Sequence, residues 1–357
     1  MSLALALGRR GLGNTWPNPA VGAVVVRHDG EPVIVGRGWT QPGGRPHAET
    51  EALRRAGEAA RGATLYATLE PCSHHGKTPP CTDAIIAAGI TRVVSAIEDP
   101  NALAGRGHAL LRASGIAVDV GIGAAEARRA HAGHIRSVCD HRPHVSLKLA
   151  VSADGKVGLA GRKPAPITGE AARERVHLMR AMNDAILIGI GTALADDPQL
   201  TCRLPGMASR SPVRVVLDAD LRLPVASALV RSARETPLWV MAGADAPGEA
   251  EAALVARGVE VFRLPATGGR LDAALRVLAE RGITRLMVEG GPTVAAALVA
   301  ADLVDEAVLL RSPNAIGPDG IDALEAMPLS ALTDSPKLRS LGVENVGEDT
   351  IETFERA

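Results

Sequence analysis

The sequence predicts an α/β protein of two domains, a layered N-terminal domain followed by a C-terminal domain built on a mostly parallel sheet. Three observations carry that expectation. The chain has 357 residues, more than one ordinary core uses at roughly 150 residues per domain. Short aliphatic runs alternate with helix-period segments along most of its length, the rhythm of strand and helix units whose sheets are covered on both faces. The stretch Asp140-His141-Arg142-Pro143 is polar and ends in a helix-breaking proline, which divides the chain into residues 1–140 and 141–357. With three Trp, two Phe and one Tyr, the cores must be assembled from Ala, Val, Leu and Ile.

Taken in order, residues 3–10 have helical spacing, and residues 21–26 and 33–38 read as paired strands around the turn His28-Asp29-Gly30. A helix over 48–60, a strand over 64–68, a helix over 82–88, a strand over 93–97 and helices over 107–114 and 124–139 complete the first domain. The second opens on the alternation Val145, Leu147, Leu149, Val151 and the turn Ser152-Ala153-Asp154-Gly155. Its helices are expected over 169–182, 271–280 and 293–300. Its strands are expected near 185–189, 213–218, 238–242, 259–264, 284–289 and 306–311.

Charge excludes several functions. The 39 basic and 40 acidic residues leave a net charge of −1 without long runs of either sign, so neither a nucleic-acid groove nor an anionic-membrane patch is expected. The opening MSLALALGRRG places its short apolar stretch before the arginines, unlike a secretory signal. No stretch approaches the ~20 apolar residues of a membrane span. A cytoplasmic location follows, in which the four cysteines serve as ligands or buried residues rather than disulfides.

The segment LEPCSHHGKTPPC, residues 69–81, sets Cys72, His74, His75 and Cys81 close together. A catalytic zinc wants three protein ligands and an open position for water. Upstream, Pro46-His47-Ala48-Glu49 begins a helix, and His-Ala-Glu followed by Pro-Cys and a second Cys is the zinc nucleobase-deaminase signature, here with the second cysteine nine positions after the first. Pro79 and Pro80 lead into a new helix with Cys81 in its first turn, where the helix terminus favours a thiolate. His47, Cys72 and Cys81 are therefore the expected ligands and Glu49 the proton carrier. A closed structural site using His74 or His75 would leave Glu49 unexplained.

With Pro17-Asn18-Pro19-Ala20-Val21-Gly22, His47-Ala48-Glu49, the 69–81 segment and Asp99-Pro100-Asn101 together, the chain resembles the riboflavin-biosynthesis bifunctional deaminase-reductases over essentially its whole length. The resemblance implies a cytidine-deaminase-like domain, acting on a diaminopyrimidinone that carries a phosphoribosylamino group, and a dihydrofolate-reductase-like domain. It places Asn18, His74, His75, Lys77 and Asn101 around the first substrate. Lys77 suits the ribose phosphate as a compact cation, the alternative being a solvated loop lysine.

For the second domain, residues alone offer Val288-Glu289-Gly290-Gly291-Pro292-Thr293, a strand end, two glycines and a helix start whose amides suit a phosphate. The pair Gly189-Ile190-Gly191 lacks the third glycine of a dinucleotide fingerprint. The resemblance assigns Ala150, Thr192, Asp196, Gly291, Pro292, Thr293, Val294, Ala295, Ala296 and Ala297 to NADPH, and Arg180, Leu200, Arg203 and Glu289 to the substrate. Arg180 and Arg203 suit a sugar phosphate, with surface ion pairing as their plainer role. One departure stands out: a Ser-x-Trp-Ile-Thr/Ser stretch of the family is here Pro164-Ala165-Pro166-Ile167-Thr168, which predicts weaker NADPH binding or an altered reductase rate. The implied activity is zinc-dependent deamination and then NADPH reduction of the ribosyl group to ribityl. Three rivals stand beside it: a deaminase with an inactive reductase domain, a regulatory nucleotide binder with a structural zinc, and a nucleic-acid deaminase, which the scarcity of aromatic and basic surface disfavours. A second copy of the chain is left open as a partner.

Overall fold

Strand β1 (Gly22–Arg27) turns through a short polar loop into β2 (Val33–Trp39), and the two pair antiparallel from Gly22↔Trp39 onward. The computed structural model describes residues 1–159, 166–266, 269–325 and 327–357, which fall into two compact units. One comprises Met1–Pro143 with Ala279–Thr284, the other His144–Leu278 with Arg285–Ala357.

In the first unit β3 (Thr64–Ala67), β4 (Arg92–Ser95) and β5 (Ala117–Val120) complete a five-stranded sheet in the order β2-β1-β3-β4-β5. The β1–β3 pair is antiparallel and the β3–β4 and β4–β5 pairs are parallel. The helix Ala48–Ala56 lies on this sheet through Ala48, Ala52 and Ala56, all buried. It can approach so closely because β2 opposes those alanines with glycine: a methyl group on Gly38 would lie 2.2 Å from the Ala48 carbonyl oxygen. Small side chains on both surfaces thus seat the helix, and with it the residue at its N-terminus.

The second unit holds a nine-stranded sheet. In chain order its members are β6 (His144–Val151), β8 (Ala185–Gly189), β9 (Val213–Leu217), β10 (Leu238–Gly243), β11 (Glu260–Leu264), β12 (Arg285–Val288), β13 (Glu306–Arg311), β15 (Leu338–Val346) and β16 (Asp349–Arg356). A separate pair is made by β7 (Lys156–Gly158) and β14 (Ile321–Asp322). The large sheet runs β11-β10-β9-β8-β12-β6-β13-β16-β15, parallel as far as β13 and antiparallel through the last two strands. The mostly parallel sheet expected from the strand and helix rhythm is present. Val145, Leu147, Leu149 and Val151 on β6 are all buried, but so are their neighbours His144 and Ser146, because a central strand is covered on both faces.

Several elements differ from expectation. The single helix over 124–139 is two, Ala124–Ala130 and Ala132–Asp140, broken at His131 (φ −96°, ψ 11°). That histidine is buried and its Nε2 lies 3.0 Å from Thr68 Oγ1, so a tertiary contact overrides the helical periodicity. The helix expected over 48–60 changes to a 3₁₀ turn at Gly57 (φ 53°). Residues 190–196, for which no element was expected, form a helix. The strands β5, β15 and β16 and the helix Gly248–Val255 were not expected at all. Among the described residues no helix is long and apolar enough to cross a membrane.

Candidate functional site

In the first unit the two helix starts and the strand end converge on one point. His47 is the N-cap of Ala48–Ala56, and Cys81 is the first residue of the helix Cys81–Ala87, capped by Pro80. His47 Nδ1 lies 3.6 Å from Cys72 Sγ and 3.3 Å from Cys81 Sγ. The three ligand atoms fall within 4.8 Å of one another, the one such His/Cys/Asp/Glu cluster among the described residues. One nitrogen and two sulfurs at this spacing suit zinc and leave its fourth position free. The Cys81 amide donates to Cys72 Sγ at 3.3 Å. Hydrogen bonds from the Cys81 thiol and from His47 hold the Cys72 thiol well below its ordinary value, while the same pairing and burial push the Cys81 thiol up.

Glu49, in the first turn of the helix, is 3 % exposed. Burial pushes its carboxyl up to about 7, against the opposing charge of His47. A group poised there can take and return a proton near neutrality.

Other sequence-selected residues of this unit lie around the cluster with local bonds of their own. Asn18 Nδ2 donates to the Gly44 carbonyl at 2.8 Å, and Gly44 stands at φ 84°, where a side chain would strike that amide. Asn101 Oδ1 accepts from the Leu103 amide at 3.0 Å. His74, His75 and Lys77 are exposed on the loop between the cysteines, and His75 Nε2 faces Asp83 at 3.8 Å. Neither histidine belongs to the ligand cluster.

Glu70 is a residue that sequence reasoning passed over. Its buried carboxylate accepts from the Asp99 amide at 3.1 Å and the His108 amide at 2.8 Å, while Asp99 Oδ1 takes the Asn101 amide and His134 Nε2 at 2.9 and 2.8 Å. It ties the Asp99-Pro100-Asn101 loop to the segment after β3 that carries Cys72. The available signal was its place inside Leu69-Glu70-Pro71-Cys72.

The second unit has a cavity of about 360 Å³, lined among others by Ala150, Thr192, Asp196, Glu289, Gly291 and Pro292. Six of the sequence-selected residues therefore share one site. Gly291, the N-cap of the helix Pro292–Ala300, has an ordinary φ of −69°. Its use is closeness, since a methyl group there would lie 3.0 Å from Thr192 Oγ1. Thr293, Val294, Ala295, Ala296 and Ala297 run on into that helix, with Ala295 buried in the core. The start of this helix, beside the cavity and with close backbone approach at Gly291, suits the phosphates of a dinucleotide.

Arg180 and Glu289, expected to meet substrate separately, meet each other: Nε and Nη2 of Arg180 donate to the two Glu289 oxygens at 2.7 and 2.9 Å. Lys148 Nζ stands 3.9 Å from Glu289 Oε2 and also lines the cavity. Burial works to raise the Glu289 carboxyl, but Arg180 and Lys148 outweigh it and hold it below its ordinary value. Leu200 adopts φ 57° with its side chain in the hydrophobic core, so only its backbone can meet a ligand. Arg203 is exposed and outside the lining. Of the replaced motif, Pro166, Ile167 and Thr168 line the cavity, and Pro164 lies outside the described residues.

Comparison with known proteins agrees with this geometry. Residues 1–97 match the cytidine and deoxycytidylate deaminase zinc-binding region, and residues 143–351 match the RibD C-terminal domain. The chain is 41% identical to the riboflavin biosynthesis protein RibD of Aquifex aeolicus (strain VF5), over all of this chain and 97% of that one. The chain belongs to the RibD family. The RibD of Escherichia coli (strain K12) is 40% identical over 98% of this chain and 96% of its own. Among solved structures, Acinetobacter baumannii RibD, form 1, superposes with a TM-score of 0.88 at 33% identity, covering 100% of this chain and 97% of that one. A Thermotoga maritima structure described as a diaminohydroxyphosphoribosylaminopyrimidine deaminase/5-amino-6-(5-phosphoribosylamino)uracil reductase gives 0.86 at 35% identity, with the same coverage. As a RibD-family protein the chain is a zinc-dependent deaminase and an NADPH-dependent reductase of riboflavin biosynthesis, with both domains present.

Proposed function

We propose that the N-terminal domain, residues 1–140, hydrolyses the exocyclic amine of 2,5-diamino-6-(5-phosphoribosylamino)pyrimidin-4-one, and that the C-terminal domain, residues 141–357, reduces the ribosyl group of the product to ribityl. The observation that carries the reading is the buried Glu49 carboxyl beside the His47, Cys72 and Cys81 cluster. In the first step water replaces the amine, leaving a carbonyl and ammonia. Zinc, when bound, supplies the Lewis acidity that makes water a nucleophile near neutral pH. Glu49 takes the proton that water gives up and hands it to the departing nitrogen. Asn18, His74, His75, Lys77 and Asn101 form the wall that receives pyrimidine and sugar phosphate.

For the second step, NADPH, when bound, would be the source of the hydride that C1 of the opened ribose needs, and the protein's part is to position the two partners. Ala150, Thr192, Asp196 and the residues from Gly291 to Ala297 hold the cofactor. Glu289 is kept anionic by Arg180 and Lys148. Lys148 is a cation in the cavity wall that burial inclines to release its proton, which suits it to give a proton to the substrate. Arg180, Leu200 and Arg203 flank the substrate. A cytoplasmic location accords with four cysteines that are all free thiols.

Purified protein given the phosphoribosylated diaminopyrimidine tests both halves. Ammonia is expected with or without NADPH, and the ribityl product only with it. A deaminated, unreduced product in both arms would favour the rival with an inactive reductase. Glu49→Gln is expected to lower ammonia release by roughly 10²–10⁴-fold while zinc content is retained. Full activity in that variant would end the proposed mechanism.

A further inference from the structure

Arg45 lies two residues before His47 on the loop that enters the helix Ala48–Ala56, and none of the family motifs includes it. Its Nε is buried without a partner, and among the described residues no hydrogen bond or ion pair joins its side chain. An arginine that gives up water around its Nε without gaining an acceptor is costly to keep. The cost is offset when a ligand brings the acceptor.

Its position says which ligand. A methyl group built on Gly76 would lie 3.9 Å from Arg45 Nη2 and 3.5 Å from His74 Nε2, so the guanidinium reaches the loop between the cysteines next to Lys77. Lys77 is exposed and carries no ion pair among the described residues. The nearby carboxylate on that side, Asp83, faces His75. Two unneutralised cations and an imidazole on one rim favour an anion with several oxygens, which a guanidinium binds through paired N–H groups. The backbone under Arg45 is held too, through the Asn18 bond to Gly44.

Building on the deaminase reading above, we infer that Arg45 is a specificity-determining residue of the first unit: with Lys77 it binds the phosphate monoester of the phosphoribosyl substrate.

The test compares the phosphoribosylated diaminopyrimidine with its dephosphorylated riboside in holoenzyme of known zinc content, following ammonia release. Arg45→Ala is expected to raise KM for the phosphorylated substrate by roughly ten- to a hundredfold, the size of one lost charge-assisted contact, with kcat within about twofold. The Ki of ribose 5-phosphate should rise by a similar factor, while kcat/KM for the riboside stays unchanged. Arg45→Lys, which keeps the charge and loses the paired geometry, should fall between wild type and Arg45→Ala. It also keeps the test valid if the alanine variant loses zinc. Equal losses on both substrates, or no change on either, would overturn the assignment. Wild-type protein that releases no ammonia from either substrate would instead overturn the deaminase reading on which it rests.

Discussion

Glu289 shows what a single residue adds once neighbours far apart in sequence are in place. It is paired by both oxygens with Arg180, 109 positions away, and Lys148 stands at 3.9 Å. All three side chains are at most 15 % exposed. Removing one partner of such a cluster leaves charge buried and uncompensated, so Glu289→Gln should destabilise the second unit by about 3 kcal/mol and abolish reduction. Denaturant unfolding of the variant checks it, and a loss below about 1 kcal/mol would mean that water compensates the cations. The family resemblance assigned Arg180 and Glu289 as separate substrate contacts, since spacing does not reveal a pairing made by the fold. The zinc ligands and Glu49 were legible because their chemistry demands particular residue types beside helix starts. Arg45 was not, because an arginine lacking a partner leaves no pattern, and Glu70 showed only as a member of Leu69-Glu70-Pro71-Cys72, since the motif does not say that its carboxylate accepts the Asp99 and His108 amides.

At the scale of elements, the contact between β2 and the helix Ala48–Ala56 decides where His47 stands. A methyl group on Gly38 would meet the Ala48 carbonyl at 2.2 Å, backbone that cannot swing aside. Gly38→Ala should therefore push the helix off the sheet, cost roughly 1–3 kcal/mol as overpacking does, and lower zinc content along with ammonia release. Variant protein with full zinc occupancy would show that the helix start moves independently of the strand. The turn after β6 makes a different prediction. Asp154 accepts from Ser152 Oγ at 2.6 Å and from the amides of Ile316 and Gly317 at 3.0 and 2.7 Å, which hold its carboxyl down to about 2 from an ordinary 3.8. With the folded value depressed, the stabilisation is present above the ordinary value and is lost as pH falls from about 4 through about 2. Hydrogen exchange at residues 316–317, corrected for intrinsic rate, should accelerate over that window in wild type and already be fast at neutral pH in Asp154→Asn. The β15 and β16 hairpin escaped sequence reading because β15 is exposed along nearly its whole length, so no apolar alternation marks it.

For the molecule as a whole, two chemistries rest on two differently built sheets. Removing zinc with a chelator should abolish ammonia release and leave NADPH oxidation on pre-deaminated substrate intact, read by absorbance; loss of both activities would mean that the reductase also depends on the metal. The alternation of strands and helices and the mostly parallel large sheet were readable, since hydrophobic periodicity reports layers directly. Strand order was not, because it depends on which edges meet. In the first sheet, neighbours in space are near neighbours along the chain. In the large sheet β6, the first strand made, lies between β12 and β13, which leave the ribosome last among the parallel strands. Its two edges must wait unpaired while most of the domain is synthesised, and such non-local closure is slow and exposes strand edges to wrong partners. During expression, then, the reductase half is the one expected to need chaperone protection, and cooler, slower synthesis should favour its yield.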